Sequence, residues 1–532
     1  MHVRDFGYTW DENEMRMTGI YNLIYIAETF FPSLIPYSYL SFPKLANYWS
    51  NDHGPFMELI FGSIEHVFKI NESRNIHLMR HSITFTVCFI GLINFYFLVM
   101  RRFKRHEYAI LGSSILLLSP RIFADSFYNA KDLAFAALLV ISLNSFAHWR
   151  NKKSHFTLLI HSIVCGFASA IRIIGLIMVI ITLLTVIHDY WSKKQKTSQT
   201  LFELFSHSTI TFLILFICFP VLWSDPLNNV IEILSRMSNF PYYGQNLFNG
   251  VIYEASSSPW YYVPGWILIT TPISYIILFL IGVFFYLPAL LKIRFNLENA
   301  KKIYASDLAC LIIILVPIAF AMIRKSVVYD GWRHFYFIYP SMVYFMLLGF
   351  QTTFGFLRKT KVLIFALILT LLFTLGSTAN WMRIAHPMEN LYFNQLAGKK
   401  LAAKWEMDYW GQGNSMVLKW LIQRYPNKTI SIAPLSNTPL HFGIALMSKL
   451  EASHFSIYKI TPEGKFELTG DNSKLLTTSK NVVPEFLFTN YRINRGSYKE
   501  PVIHAKVYGY RILKDFKVGN EIWATLYKKM RE

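Results

Sequence analysis

Ten apolar runs, most of them long enough to cross a lipid bilayer as a helix, occupy the sequence between residues 80 and 380. A bilayer core requires about 20 apolar residues per helix, and fewer where neighbouring protein shields the helix. The predicted spans are residues 80–100, 108–119, 132–148, 156–171, 174–189, 207–223, 264–290, 305–323, 335–357 and 361–380. With 53% hydrophobic and only 16% charged residues, the chain is predicted to be a polytopic α-helical membrane protein.

The positive charges are distributed unevenly between alternate loops of this membrane domain. One set of five loops carries 17 Lys and Arg, around residues 101–105, 150–153, 193–196, 292–302 and 358–361, and the other set carries 7. Cytoplasmic loops are the ones enriched in Lys and Arg, so the second set is predicted to face outward. We therefore interpret the net charge of +20 as an interaction of the basic loops with the membrane surface. No nucleic-acid partner is predicted.

This topology divides the chain into three parts. Residues 1–78 form a first outer loop that carries an acidic motif and, over 19–40, a helix lying at the membrane interface. Residues 79–380 form the transmembrane domain. Residues 381–532 combine strand-like runs (TISIAP, EFLFTNYRI, IWATLYKK) with a helix-like stretch, SMVLKWLIQRY, and are predicted to be a small extracytoplasmic α/β domain. Since the chain would start outside, we expect an upstream transmembrane helix that is absent from this sequence.

The four cysteines do not suggest a metal site or a disulfide framework. Cys88, Cys165, Cys218 and Cys310 all lie inside apolar runs, without CxxC spacing. Free cysteine is among the most often buried residue types. We therefore interpret all four as small buried hydrophobic side chains.

Four outward-facing stretches carry ionisable residues beside the membrane, where unpaired charges are costly and tend to be functional. They are TWDENE, YWSNDHGPFMEL, SPRIFADSFYNAKD and VYDGWRHFYFIYP. Their carboxylates can act as a general base, their cations can stabilise a phosphate leaving group, and their aromatic faces can hold a sugar ring. There is no Gly-rich phosphate loop, HExxH or GxSxG motif to indicate nucleotide or hydrolase chemistry.

These stretches, in this order, resemble the C-type (GT-C) membrane glycosyltransferases, specifically the family 39-like branch of protein O-mannosyltransferases and the lipid A aminoarabinose transferase. The stretch HPMENLYFNQLAGKKLAAKWEMDYWG is similar to a segment of bacterial members, and the resemblance covers essentially the whole chain. It implies a GT-C-like fold and a polyprenyl-phosphate sugar as donor. It also implies that the acidic pair Asp11 and Glu12 holds the catalytic base, with Asp11 preferred.

The resemblance assigns a second acidic motif and the residues that bind the donor phosphate. The second motif is Asp132, with Asp125 a weaker candidate. The phosphate-binding residues it implies are Arg333, Arg172, Lys131 and His53. A divalent ion, if one takes part, would be held by Asp132 or Asp52; no cofactor is otherwise expected.

Some of these residues also have purely structural interpretations. Gly54 departs from the family pattern after Asp52-His53, and His53 and His334 are compatible with polar packing. Arg172 could extend its side chain to the membrane interface, and Asp408 could serve only the fold of the outer domain.

The sequence as a whole predicts an inverting glycosyltransferase that acts at the outer face of a bacterial inner (plasma) membrane. It would move a sugar from undecaprenyl- or dolichyl-phosphate to an acceptor glycan, lipid or protein. Two alternatives stay open: a transporter or flippase for lipid-linked sugars, and a non-catalytic protein that binds lipid carriers. A transporter would carry charges along a path through the middle of the bilayer, whereas here the charges gather near the ends of the spans.

Overall fold

The structure is a computed structural model that describes residues 3–34, 43–238, 240–293, 304–460, 466–469, 483–492 and 509–530. Seventeen α-helices lie in this part of the chain. They are α1 (Trp10–Phe30), α2 (Phe56–Val67), α3 (Ser73–Phe103), α4 (His106–Leu117), α5 (Pro120–Tyr128), α6 (Asp132–Lys152), α7 (His155–Ile171), α8 (Leu176–Trp191), α9 (Thr197–Cys218), α10 (Pro226–Ser238), α11 (Tyr262–Thr270), α12 (Ile273–Ile293), α13 (Ala305–Arg324), α14 (Tyr339–Leu357), α15 (Lys361–Ala385), α16 (Asn414–Arg424) and α17 (Lys449–Ala452).

The predicted spans coincide with helices, but not all of these helices could cross a bilayer alone. Within the described residues, six helices are long and apolar enough to do so, or seven if the bent pair α4 and α5 forms one span. Helices α4 and α5 meet at 69°, where Pro120 cannot donate a backbone hydrogen bond. The span predicted over 264–290 consists of two helices, α11 and α12, on either side of Pro272. The chain is therefore a multi-pass helical membrane protein, as predicted.

Small residues allow helices α12 and α14 to approach each other closely. A Cβ atom on Gly282 of α12 would lie 2.0 Å from the carbonyl oxygen of Phe345, and one on Gly349 of α14 would lie 1.9 Å from the carbonyl oxygen of Leu278. Any larger side chain at either position would force the two backbones apart. Interfaces of this kind, built on small residues, are typical of packed membrane helices.

Two charged layers mark the two ends of the helices. Asp132 begins α6 and Lys152 ends it, a separation of about 30 Å at 1.5 Å per residue. At the end far from Asp132, Lys153 contacts Asp189 at 3.0 Å, and Arg102 contacts Asp307 at 2.7 Å. That the end carrying Lys153 and Arg102 faces the cytoplasm stays a prediction. The basic loop around residues 294–302 lies outside the described residues.

The C-terminal part contains the predicted α/β domain. Its strands are β3 (Ile430–Pro434), β4 (Phe455–Ile460), β5 (Phe466–Leu468), β6 (Phe486–Thr489), β7 (Tyr510–Val518) and β8 (Glu521–Lys529), and a separate hairpin is formed by β1 (Gln245–Phe248) and β2 (Val251–Glu254). The six strands form a mixed sheet in the order β5-β4-β3-β6-β8-β7, in which β3 runs parallel to both neighbours. Strand β6, in the middle of the sheet, is buried at all four of its positions, as expected for a strand covered on both faces.

The first outer loop departs in detail from its prediction. Helix α1 starts at Trp10, earlier than the interface helix predicted over 19–40, and ends before Pro32. It starts there because Thr9 and Glu12 form a capping box, in which each side chain accepts a hydrogen bond from the other residue's backbone N–H. Residues 35–40 lie outside the described residues.

Candidate functional site

Arg333 is the centre of a charged cluster at one end of the helices. Its Nη1 donates to Oδ2 of Asp11 at 2.9 Å and to Oδ2 of Asp132 at 3.4 Å, and its Nη2 donates to Oδ2 of Asp330 at 3.1 Å. The guanidinium also stacks on Trp410, with its central carbon 4.6 Å from the ring centroid. The side chain of Arg333 is buried, and the neighbouring Asp11 and Asp330 hold its pKa above the ordinary value although burial acts in the opposite direction.

Asp11 is the most accessible acid of the cluster. It is the second residue of α1, whose start is attached to the C-terminal region by a hydrogen bond from the backbone N–H of Trp10 to the carbonyl of Trp410 at 3.0 Å. Its side chain is 31% exposed, against 3% for Arg333. Burial raises the pKa of Asp11, but the charges of Arg333 and Lys131 outweigh this effect and hold the pKa below its ordinary value. Asp11 is therefore a carboxylate whose ionised form is favoured and whose side chain is partly exposed.

Asp132 joins two arginines from different parts of the fold. It starts α6, where the helix dipole favours negative charge, and accepts hydrogen bonds from Arg172 and Arg333. Asn129 orients it further, by donating to its Oδ2 at 3.1 Å and accepting from its backbone N–H at 2.8 Å. Arg172 lies where the helical backbone breaks between α7 and α8. Its guanidinium forms an ion pair with Asp132 and does not extend to the membrane interface.

Lys131 adds a third cation beside Asp132. Burial and the neighbouring charge of Arg172 lower its pKa well below the ordinary lysine value. A cavity of about 20 Å³ borders Lys131, Asp11 and Trp410, which is room for about one water molecule. Arg172 and Arg333 meet at Asp132, and the charge of Lys131 interacts electrostatically with both arginines.

His53 lies in the loop before α2 and is connected to a different acid. Its Nδ1 lies 2.7 Å from Oδ1 of Asp52, whose Oδ2 lies 3.2 Å from Nε of Arg236. Burial lowers the pKa of His53 to about 4, and the charge of Lys131 contributes in the same direction, so the imidazole is neutral at pH 7. Gly54 is required here, because a Cβ atom would lie 2.3 Å from the carbonyl oxygen of Ala170, two residues before Arg172.

Two other candidate acids serve separate contacts. The carboxylate of Glu12 is buried, accepts from the backbone N–H of Thr9 at 2.7 Å, and lies 2.7 Å from Nε2 of His81. Asp125 is buried and accepts from Tyr128 at 2.9 Å and from Nε1 of Trp410 at 3.2 Å. Neither carboxylate contacts Arg333 among the described residues.

Arg492, in the NYRI run, belongs to the cluster although it was not predicted. Its Nη2 donates to Oδ1 of Asp330 at 2.8 Å, on the opposite side from Arg333, and its guanidinium stacks over Trp10 at 4.8 Å. Asp330 has a positive φ of 55°, a backbone conformation that Asp tolerates better than most residues. The only sequence signal for Arg492 was a lone arginine at the end of a strand-like run, which carries no information about its partner.

The two acids considered as metal ligands, Asp132 and Asp52, are already surrounded by positive charge. Each of the two candidate metal-binding acids already faces cations: Asp132 faces Arg172 and Arg333, and Asp52 faces Arg236. In the described part of the chain, no three metal-binding side chains converge at either acid. A cation-rich environment of this kind suits an anionic ligand better than a divalent ion.

Comparison with known proteins supports the resemblance read from the motifs. Residues 53–224 match the family model described as Dolichyl-phosphate-mannose-protein mannosyltransferase. This region begins at His53 and contains the junction between α5 and α6, with Lys131 and Asp132, as well as Arg172. The match confirms the predicted resemblance to protein O-mannosyltransferases, and no curated protein matches the sequence.

Among solved structures, the chain is similar to the oligosaccharyltransferase of Archaeoglobus fulgidus. The apo form aligns with 87% of this chain and 65% of its own, at a TM-score of 0.44 and 11% identity. The archaeal oligosaccharyltransferase AglB in complex with an inhibitory peptide and a dolichol-phosphate aligns with 96% of this chain and 70% of its own, at a TM-score of 0.46 and 11% identity. The present chain thus spans about two thirds of the length of that protein.

Proposed function

We propose that this chain, whose residues 53–224 match the protein mannosyltransferase family, transfers a sugar from a polyprenyl-phosphate carrier to an acceptor hydroxyl at the outer membrane face. The observation that carries the proposal is the contact of Arg333 with both Asp11 and Asp132. It joins an accessible carboxylate to a group of cations beside the membrane. Those are the two parts that glycosyl transfer from a lipid phosphate requires.

The cations would stabilise the leaving group. As the bond between the anomeric carbon and the phosphate oxygen breaks, its electron pair passes to the phosphate and negative charge accumulates there. Arg333 and Arg172 can each offer two parallel N–H donors to phosphate oxygens, while Lys131 adds a compact charge. In the structure both arginines are neutralised by Asp132, so donor binding would exchange part of these ion pairs for contacts to phosphate.

Asp11 would act as the general base. The acceptor oxygen attacks the anomeric carbon on the face opposite the phosphate, which inverts the configuration, and its proton moves to the carboxylate of Asp11. The contact with Arg333 uses Oδ2 of Asp11, and no bond to Oδ1 is seen among the described residues. A low pKa makes Asp11 a weak base toward a free hydroxyl, but the hydroxyl becomes much more acidic as its new bond forms.

The donor and acceptor classes follow from the resemblance and from the lipid setting. Both the family description and the membrane domain support a polyprenyl-phosphate sugar, dolichyl- or undecaprenyl-linked. The acceptor would be a protein, a lipid or a glycan exposed at the outer face of a bacterial plasma membrane. The contacts of the cluster do not favour one sugar over another.

The proposal is tested with the purified protein in vesicles that contain a polyprenyl-phosphate donor with a radiolabelled sugar. We expect the label to leave the carrier when an extract containing acceptors is added, and mass spectrometry of glycans and lipids from a deletion strain to identify the product. If the label crosses the bilayer while still attached to its carrier, the protein is a transporter. If donor binds but keeps its sugar with every acceptor class, the protein is a non-catalytic carrier-binding protein, and the proposal fails.

A further inference from the structure

Two histidines and a cysteine converge inside the membrane domain, away from the charged cluster. His161 and Cys165 lie on α7 and His207 lies on α9, and one potential metal-binding atom from each residue lies within 4.8 Å of the others. All three side chains are completely buried. His161 precedes Arg172 by 11 residues on or next to the same helix, which places it about 16 Å away along the helix axis.

The hydrogen bonds of His207 leave one of its nitrogens without a partner. The hydroxyl of Ser162 donates to the carbonyl of Leu158 at 2.8 Å, so toward Nδ1 of His207, also at 2.8 Å, it can only accept. The proton of the neutral imidazole is therefore on Nδ1. Nε2 carries a lone pair and, although buried, has no hydrogen-bond partner.

His161 also has one ring nitrogen that receives no hydrogen bond from the two hydroxyl groups beside it. Thr182 donates to the carbonyl of Met178 at 2.8 Å and Ser145 donates to the carbonyl of Ser142 at 2.9 Å. Each hydroxyl oxygen lies 2.9 Å from one ring nitrogen of His161 and can only accept from it. A neutral imidazole has a single N–H, so one nitrogen of His161 also keeps a lone pair that neither hydroxyl can satisfy.

The thiol of Cys165 packs against the ring of His161, close to both of its nitrogens. It follows His161 by four residues on α7, so that both side chains share one face of the helix. Its sulfur lies 3.6 Å and 3.7 Å from the two ring nitrogens of His161. With metal–sulfur bonds of about 2.3 Å and metal–nitrogen bonds of about 2.0 Å at a tetrahedral angle, a metal-bound sulfur and nitrogen lie roughly 3.6 Å apart.

We propose that His161, Cys165 and His207 bind one thiophilic metal ion, of the class of Cu⁺ and Zn²⁺. Imidazole and thiolate are the donor types that these two ions share. The ion would accept the lone pairs of both histidines, and Cys165 would release its proton to solvent on binding. The charge balance favours Cu⁺, because one thiolate makes a Cu⁺ site neutral, whereas Zn²⁺ would leave a net positive charge among apolar helices.

A polar cavity offers a route to this site from the end of the bundle that carries Lys153. The cavity has a volume of about 350 Å³, and its lining includes Lys153, Leu158 and Glu203. Leu158 lies one helical turn before Ser162, and Glu203 lies one turn before His207. The carboxylate of Glu203 is buried and its Oε2 lies 3.7 Å from Nζ of Lys153, so an entering cation would compete with Lys153 for this oxygen.

The test measures metal retained by the full-length protein, purified without a polyhistidine tag. The protein is equilibrated with Cu⁺ under reducing conditions or with Zn²⁺, passed through gel filtration, and analysed by mass spectrometry of the metal. We expect about one ion per chain, with Cu⁺ displacing Zn²⁺ in competition. Cys165→Ser and His207→Gln should weaken retention at least about tenfold, whereas Cys310→Ser, which removes a buried thiol on another helix, should not.

X-ray absorption of the loaded wild-type protein makes the test independent of whether the variants fold. We expect one sulfur and two nitrogen ligands, with a metal–sulfur distance of about 2.3 Å for zinc. If the wild-type protein retains no ion, if Cys165→Ser retains as much as wild type, or if no sulfur ligand is detected, the proposal is wrong. None of these readouts depends on sugar transfer, so they are independent of the function proposed above.

Discussion

Arg333 and Asp11 form an ion pair at 2.9 Å although 322 residues separate them in the chain. Arg333 is buried while Asp11 stays partly accessible, so the arginine acts as a fixed charge that orients a carboxylate at the edge of the cluster. The same guanidinium contacts Asp132 and Asp330. A single side chain therefore connects the N-terminal segment, the start of α6 and the loop before α14.

Replacement of Asp11 by Asn should abolish most sugar transfer while the protein still folds. The amide has nearly the same shape but cannot accept the proton of the acceptor hydroxyl, and loss of a general base costs about 10² to 10⁴ in rate. The measurement is the transfer rate of purified variants in vesicles.

The matched control for this variant is Glu14→Gln, on the same helix α1. Glu14 accepts a hydrogen bond from the hydroxyl of Tyr48, and the amide oxygen of a glutamine can accept the same bond. Among the described residues Glu14 makes no ion pair with Arg333, so this variant should keep nearly normal activity. Full activity of Asp11→Asn would remove Asp11 as the base.

Arg333→Lys should reduce transfer far more than Arg121→Lys, by at least about tenfold. Lysine cannot reproduce the planar fork that contacts three carboxylates. Arg121 is buried too, but it donates to the carbonyl of Tyr392 at 3.1 Å and stacks on Phe393, so its replacement should lower thermal stability more than the rate. Parallel measurements of activity and of the unfolding temperature separate the two effects, and the opposite ranking of activities would contradict the assignment of Arg333 to the phosphate.

Asp132→Asn should impair turnover strongly, and Asp125→Asn should be milder. Asp132 neutralises Arg172 and Arg333, so its loss leaves two buried cations with altered positions. Asp125 instead accepts from Tyr128 and Trp410, and its loss mainly loosens the contact with the C-terminal domain. Because Asp132 already faces two cations, we also expect the activity to be insensitive to EDTA. Loss of activity in EDTA with recovery on adding a divalent ion would show that a metal takes part.

Activity should fall at alkaline pH because Lys131 loses its proton. Burial and Arg172 lower the pKa of Lys131, so its positive charge is present at low pH and is lost as the pH rises through this lowered pKa. Arginine stays charged throughout the accessible pH range. In Lys131→Arg, the alkaline limb of kcat/KM should therefore move to higher pH, even if the maximal rate is lower. An alkaline limb that does not move would exclude Lys131 as the titrating group.

The predicted sidedness can be checked by labelling with a membrane-impermeant maleimide. Leu450 is 74% exposed in the C-terminal domain, and Leu450→Cys should be labelled from outside in intact cells. Lys194→Cys, in the exposed turn after α8, should be labelled only after the membrane is opened. Labelling in the reverse order would place the charged cluster in the cytoplasm and would rule out an acceptor at the outer face.

Much of the local structure could be predicted from the sequence, because apolar length, prolines and capping residues act over a few positions. The helices of the membrane domain and the strands β3, β6 and β8 of the C-terminal sheet follow from such signals, whereas helix α5, in a stretch predicted to be a loop, and strands β4, β5 and β7 were not predicted. The resemblance of the motif order also selected Asp11, Asp132 and Arg333 before any contact was known. The structure brings these three together.

Only the tertiary structure decided which charges face one another and which polar residues share an apolar interior. Packing between distant elements brings Arg492 to Asp330. It also places Asp132 between Arg172 and Arg333. Cys165 shows the same limit, since a CxxC motif does not include the histidine four residues before Cys165, and nothing local to Cys165 indicates His207 on another helix. Local propensity is encoded within one helical turn, whereas the convergence of side chains from different helices is set by how the whole bundle packs.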